Sequence, residues 1–370
     1  MAASTTTHAT HTPTLRRRVR SVLSWLHLWL GLSVGIVFAT VSLAGSVLVF
    51  HTEVLRLQHP QLLAHVPRAD GRALQRILDE WTPRGLRSLD LPRAELPVWQ
   101  GYLEDGRRAY FAPDDGHLLL VRSQHDDALL WLHELHVELL GGKPGKEVLG
   151  VVGWIALGLL LSGLYLWWPK PGRWLAQLKM HAGPPVRRWL TWHRGSGALM
   201  LPLILLIALT GVGMVYSNGV RSALTSVFGG AAAAASLKPD ADARDADATI
   251  AYDWNRILAE AGTVLPGARV HRVSAPGPGD GVVTFRARAR GEWHPVGRSE
   301  IRLDRSGRRL QVIDATAHPL GLRMHQAIYP LHIGAVGGTP MKWLTALAGL
   351  MPAFLLVTGF LFWRRRRGRR

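Results

Sequence analysis

The sequence predicts a mainly α-helical membrane protein, a four-helix transmembrane bundle with two small α+β modules outside the bilayer. Three observations lead there. Four apolar runs, Val22–Phe50, Val148–Trp168, Leu199–Tyr216 and Trp343–Trp363, are almost free of charge and approach the ~20 apolar residues that a bilayer core requires. Basic residues gather at alternate ends of these runs. Two longer mixed segments, one after the first run and one after the third, each read as a helix followed by strands. The chain then divides into 1–15, an N-terminus of disordered composition; 16–51, span one; 52–131, module one; 132–168, a histidine element and span two; 169–190, a loop; 191–217, span three; 218–320, a linker and module two; 321–363, a second histidine element and span four; and 364–370, a basic tail.

Charge orients the spans. Of 44 Lys and Arg, sixteen stand before span one, between spans two and three (Arg194 included) or after span four, and no Asp or Glu accompanies them. Short basic loops stay in the cytoplasm. Both termini are therefore expected inside and the two long segments outside. The net charge of +18 is nearly absorbed by topology, so the bilayer is the expected partner and nucleic acid is not. No cysteine is present, which excludes disulfides, thiolate iron–sulfur clusters and C-x-x-C-H haem attachment. The 17 histidines are the candidates for any redox centre.

Residues Met1–Thr14 are Thr- and His-rich, and His8 and His11 are expected in solvent. The first apolar run is too long for a cleaved signal peptide and has no small-residue cleavage site, so it is read as a retained span. Trp25 and Trp29 suit an interfacial belt, and Gly31, Gly35 and Gly45 would let a helix or a flat macrocycle approach the backbone. Module one offers a helix at Asp70–Trp81 and strands at Leu86–Leu91, Val98–Leu103, Arg107–Phe111 and His117–Val121, the last after the turn Pro113–Gly116. LHVELLGG follows, Leu135–Gly142, and its glycines with Pro144 should bend or break the helix. The basic loop after Trp168 has neither a G-x-G-x-x-G fingerprint nor a P-loop, and His181 there reads as solvated.

Span three starts at Trp192-His193-Arg194-Gly195. Arg194 reads equally as a partner for a haem propionate and as one more cytoplasmic positive charge. Gly229-Gly230, an alanine run and Lys238–Ala248 have the composition of a disordered linker. A helix at Tyr252–Ala261 and strands at Val270–Ser274, Val282–Arg288, Glu300–Leu303 and Leu310–Ile313 repeat module one, with Asp304–Gly307 matching the turn Asp114–Gly116. Arg286, Arg288, Arg290, Arg298 and Arg302 would favour an anionic or oxygen-rich ligand, or form a solvated strand face. LHIGAVGG, Leu331–Gly338, leads into span four.

The halves match in their histidines. His27 lies 18 residues before Gly45, and His193 lies 18 before Gly211. His136 and His332 each stand five residues before a Gly-Gly pair. Two pairs result, His27 with His193 at the cytoplasmic side and His136 with His332 at the outer side. Haem b suits them: it needs no covalent attachment and takes two neutral imidazoles as axial ligands within an apolar bundle. Two histidines make an incomplete zinc site, and copper lacks a Met-rich or Cys cluster. One length is awkward. An unbroken helix from His136 to Trp168 would measure about 47 Å, against a ~30 Å core. Either the Gly-Gly elements break the helices or the outer group sits at the rim. His51, His133 and His325 are rival outer ligands.

The arginine-flanked Trp25-x-His27-x-Trp29-x-Gly31-Leu32, LHVELLGG, WHRGSG and LHIGAVGG together resemble the PepSY-associated transmembrane family, bacterial inner-membrane proteins that are often iron-regulated. The two turn-bearing modules resemble PepSY modules. The resemblance implies a four-span protein with two b haems and two PepSY-like periplasmic modules that reduces ferric siderophores, so that iron leaves hard oxygen ligands as Fe(II). A quinol or a protein would donate the electrons. Two other readings stand beside it: an electron-transfer subunit serving a quinone or protein partner, and a haem-free signalling or protease-regulating protein.

Overall fold

The computed structural model describes residues 15–236, 251–277 and 281–368. The N-terminal stretch with His8 and His11, the Lys238–Ala248 linker, Arg369 and Arg370 lie outside the described residues. The chain opens with α1, Leu15–Leu32, and α2, Val34–Leu48, bent by 53° against each other. The expected first span is thus built of two helices that meet at a bend. Ser33 stands between Gly31 and Gly35, all weak helix formers, and its hydroxyl turns back to the Trp29 carbonyl at 2.8 Å.

Then come α3, His51–Gln58, and α4, Gly71–Trp81, followed by β1 Leu86–Asp90, β2 Trp99–Leu103, β3 Arg108–Phe111 and β4 Leu118–Arg122. Helix α5, Ala128–Glu138, leads to α6, Gly142–Trp167. After α7, Trp174–Leu178, comes α8, Pro185–Val215, then α9, Ser217–Phe228, and α10, Ala231–Ser236. The expected linker therefore starts later than composition suggests, because the alanine run is helical and alanine is the strongest helix former. The second half closes with α11 Trp254–Thr263, β5 Arg269–Ser274, β6 Val282–Arg288, β7 Ser299–Asp304, β8 Arg309–Ile313, α12 Leu320–His332 and α13 Gly338–Arg367.

Helices α6, α8 and α13 are each long and apolar enough to cross a membrane, and the bent α1–α2 pair makes a fourth if it counts as one span. Helix α13 packs on α2 and α8, while α6 packs on α1, α2 and α8. Phe38, Leu157, Leu160, Ile204, Ala208, Val212, Ala348 and Met351 fill the interior. Outward, Trp154, Leu161, Leu209, Leu347 and Val357 are exposed, a surface suited to lipid.

The two modules are not separate. All eight strands form one antiparallel sheet in the order β4-β3-β2-β1-β5-β6-β7-β8. At the seam Leu89 pairs with Val273 and Asp90 with Arg272. The reason is the edge problem: β1 and β5 would each end a four-stranded sheet with unpaired N–H and C=O groups, and joining removes both edges. One face carries Leu89, Trp99, Phe111, Val273, Phe285 and Ile301 in a single core under α4 and α11. Those helices sit so close that a side chain at Gly71 would collide with Asn255. The other face turns toward α3, α5 and α12, with Tyr110 packed against Leu55 and Leu129.

One clamp ties the sheet to α5, the helix that carries His136. Buried Arg122, at the end of β4, donates two 2.7 Å hydrogen bonds to Asp127 and one of 2.9 Å to the Tyr110 hydroxyl. Asp127 also caps α5, accepting from the Leu130 N–H at 2.9 Å. Burial raises the Asp127 pKa, but these hydrogen bonds outweigh it and hold the carboxyl below the usual range.

The joined sheet and its clamp give two predictions. Asp127→Asn keeps the cap but strands a buried guanidinium, and denaturant unfolding should show a loss of about 3–5 kcal/mol. Because the folded carboxyl is depressed, this stabilisation is present above its unfolded pKa of about 4 and fades as pH falls through the lower folded value; the gap between wild type and variant should narrow accordingly. Phe285→Ala, wholly in the second half, should cost about 3–5 kcal/mol and also lower hydrogen-exchange protection in β1 and β2. Loss confined to β5–β8 would mean two independent modules.

Candidate functional site

Histidine in an apolar helix is costly to bury unless its N–H finds an acceptor. All four matched histidines find one on a neighbouring helix. His193 on α8 donates Nδ1–H to the Leu355 carbonyl of α13 at 2.9 Å. His136 on α5 donates to the Val41 carbonyl of α2 at 2.9 Å. His332 on α12 donates to the Ile207 carbonyl of α8 at 3.1 Å. His27 on α1 reaches the Ser162 hydroxyl of α6 at 2.9 Å, and that hydroxyl is itself committed as a donor to the Leu159 carbonyl.

A glycine makes room each time. A Cβ at Gly45 would lie 2.7 Å from His136 Cε1; at Gly163, 3.2 Å from that of His27; at Gly211, 3.2 Å from that of His332; and at Gly359, 3.3 Å from that of His193. Each glycine stands four residues after the carbonyl concerned. A side chain there would force the ring off the helix.

The consequence is chemical. A carbonyl only accepts, so Nδ1 carries the proton and Nε2 keeps a bare lone pair. Among the described residues no hydrogen bond reaches Nε2 of any of the four. The rings then come together in the two expected couples, one edge-on and one tilted. His27 and His193 have ring centres 6.2 Å apart at 89°, and His136 and His332 have theirs 6.0 Å apart at 43°. Imidazole nitrogen lies about 2 Å from a bound metal, so two rings on opposite sides of one metal sit roughly 6 Å apart between centres. Among the described residues no group of three or more His, Cys, Asp or Glu could hold an ion. The donor set therefore fits a metal whose remaining ligands come with it, as in a tetrapyrrole.

The couples sit at opposite ends of the bundle. His193 and the Gly211 that faces His332 are 18 residues apart on α8, about 27 Å of helix. The length difficulty resolves through breaks. Helix α5 ends just beyond His136, where Leu139 and Leu140 take left-handed φ values of 50° and 60°. Helix α12 ends at His332, before Gly334 and Gly337 at 67° and 96°. Neither α5 nor α12 continues as its span, and α5 packs back on α2 and α6.

The rivals stand elsewhere. His133 is half-buried and meets Glu134 at 3.2 Å. His325 Nε2 lies 2.9 Å from the Ser217 hydroxyl. His51 is held by the Leu48 carbonyl and Thr52. Arg194 donates to the Trp167 carbonyl at 3.4 Å, and Arg20 to that of Leu166 at 2.8 Å. Both close the C-terminus of α6, where carbonyls lack helical partners and positive charge is favoured. His181, expected in solvent, is half-buried.

Gly163 and Gly359 are the site residues that the sequence reading passed over. A signal existed: each stands 27 residues after His136 or His332 and directly follows a Ser or Thr. No curated protein matches the chain. Among known families, the PepSY-associated TM region matches residues 24–366, from just before His27 to the end of α13. Essentially the whole described architecture lies inside that match, and the chain belongs to the PepSY-associated TM family.

Proposed function

We propose that this protein is a bacterial inner-membrane, b-type di-haem protein that passes electrons across the membrane to a periplasmic ferric siderophore and releases Fe(II). One observation carries the reading: two couples of imidazoles with bare Nε2 atoms and ring centres near 6 Å apart, one couple at each end of a set of apolar helices. Haem b, when bound, supplies reversible one-electron chemistry. His27 with His193 would hold one haem, and His136 with His332 the other.

The chain's own part is positioning. The carbonyls of Leu355, Val41 and Ile207 fix three tautomers and ring planes, and Ser162 fixes the fourth. The apolar fill around Phe38 and Leu160 keeps water out of the space between the couples. The helices act as a four-span bundle, with α1–α2 as the first span. Arg16, Arg17, Arg18, Arg20 and the arginines 364–367 support a cytoplasmic side for the His27–His193 end. The sheet is then periplasmic, and a quinol or protein donor delivers electrons from within. With His27, His193, His136 and His332 all needed to hold the haems, none of the four would be left for the substrate iron, which would stay in its siderophore.

Purified protein should carry two haems per chain and a b-type reduced-minus-oxidised spectrum. His27→Ala and His136→Ala should each remove one haem equivalent and leave the other. Chemically reduced protein should turn ferric siderophore into Fe(II) trapped by a ferrous-specific chelator. Electron exchange with quinone but not with ferric siderophore would favour the electron-transfer-subunit reading, and a folded, colourless preparation would defeat the proposal. Gly45→Ala should perturb the outer spectral component alone, since its Cβ presses on His136; Gly31→Ala, which meets open space, should leave both unchanged.

A further inference from the structure

A second cluster lies on the sheet face that turns toward α12. Across β2, β1, β5, β6 and β7 the residues Gln100, Asp90, Arg272, Arg286 and Glu300 are direct cross-strand partners. Two arginines thus stand opposite each other, an arrangement that repels. The neighbouring acids are already committed. Asp90 accepts from Arg272 and from the Tyr102 hydroxyl at 2.9 Å, and lies 3.6 Å from Arg93. Glu300 pairs with Arg302 at 3.0 Å.

Arg286 is left with no hydrogen bond or ion pair through its guanidinium among the described residues. Arg298 is half-buried beside it, and its Nε is shut off from solvent without an acceptor. Buried His294 adds no further positive charge and no counter-ion: burial first, and then Arg298, Arg286, Arg272 and Arg288, push its pKa down to about 3, so it is neutral. Its ring lies 5.1 Å from that of Tyr329 on α12, and Tyr329 feels both Arg272 and Arg298.

The first half shows how this fold treats an arginine that only holds structure: Arg122 has a bidentate carboxylate and a phenol. Among the described residues Arg286 and Arg298 have neither at their guanidiniums: Glu300 and Asp90 attract Arg286, and Glu292 attracts Arg298, without an ion pair, and half-burying like charges without a paired counter-ion is unfavourable. Their position is informative as well. His325, Tyr329 and His332 share one face of α12 at i, i+4 and i+7. Tyr329 meets the cluster, and His332, one turn on, meets His136.

We propose that Arg286 and Arg298, flanked by Tyr329 and His294, form a carboxylate-binding site between the second half of the sheet and α12. The guanidinium fork suits a carboxylate, and the ligand would supply the negative charge that the chain withholds. Two sources share this chemistry: a propionate of a tetrapyrrole at the outer couple, or a free carboxylate ligand from solution. The site itself stands whether or not the redox reading holds.

The test is citrate titrated by calorimetry into the full chain in detergent, prepared with and without haem. The haem-free chain should bind one citrate, more weakly as salt rises. Arg286→Gln and Arg298→Gln should each weaken binding about tenfold or more, the worth of one charge-assisted hydrogen bond, while exposed Arg290→Gln should not. Without ligand, both variants should melt at or above the wild-type temperature, since they relieve repulsion; a merely structural arginine would lower it. Citrate excluded from the haem-loaded chain would assign the site to a propionate, and citrate bound equally by both preparations to a free ligand. No binding by the haem-free chain, or binding unaffected by both Gln variants, would overturn the proposal.

Discussion

The architecture depends on one small interaction used four times: an imidazole N–H donated to a neighbouring helix just where a glycine lets the ring lie down. A helical carbonyl already accepts from the N–H four residues on, but it has a second lone pair, and a glycine clears the way to it. In lipid such a bond has little competition from water. Each histidine therefore joins two helices, α1 to α6, α8 to α13, α5 to α2 and α12 to α8. The same bond that fastens the helices fixes which nitrogen is bare. Packing and metal-binding capacity cannot be separated here, because moving the ring to improve one would spoil the other.

The outer couple needs more than this, since its histidines lie on helices that end within a few residues of them. Position must come from outside the bundle. Helix α5 follows β4 and α12 follows β8, the two outer strands of one sheet. Two independent modules would let His136 and His332 drift apart with every relative motion. A single sheet with one core converts two swinging arms into one rigid frame. The Arg122–Asp127 clamp fastens the first arm directly to that frame.

Much of this was legible in the sequence because it rests on local signals. Charge runs and apolar length marked the spans, and alternation marked the strands. The spacing of 18 residues from histidine to glycine marked the repeat. What stayed hidden was long-range. Nothing in β1 or β5 announces that Leu89 will lie beside Val273, because an edge strand and a central strand of such a sheet carry the same alternation. The break at Ser33 competes with a strongly apolar context and wins only through two glycines and a hydroxyl. Arg194 was ambiguous because a positive residue near a helix start reads alike whether it meets a ligand, water or a carbonyl of another helix.

The halves also differ, and the difference has a direction. Both must seat one inner histidine, one outer histidine and two facing glycines, and both do so at equal spacing. Folding therefore makes the same demand on each. Beyond that demand, each half pairs its buried arginine, Arg122 with Asp127 and Arg302 with Glu300, but the second also holds the half-buried guanidiniums of Arg286 and Arg298 unpaired among the described residues, beside the helix that carries His332. Repulsion of that kind works against folding, and a fold that had the pairing solution available next door shows that it was not forced. An unfavourable charge retained in one copy only is best understood as serving something the first copy does not bind.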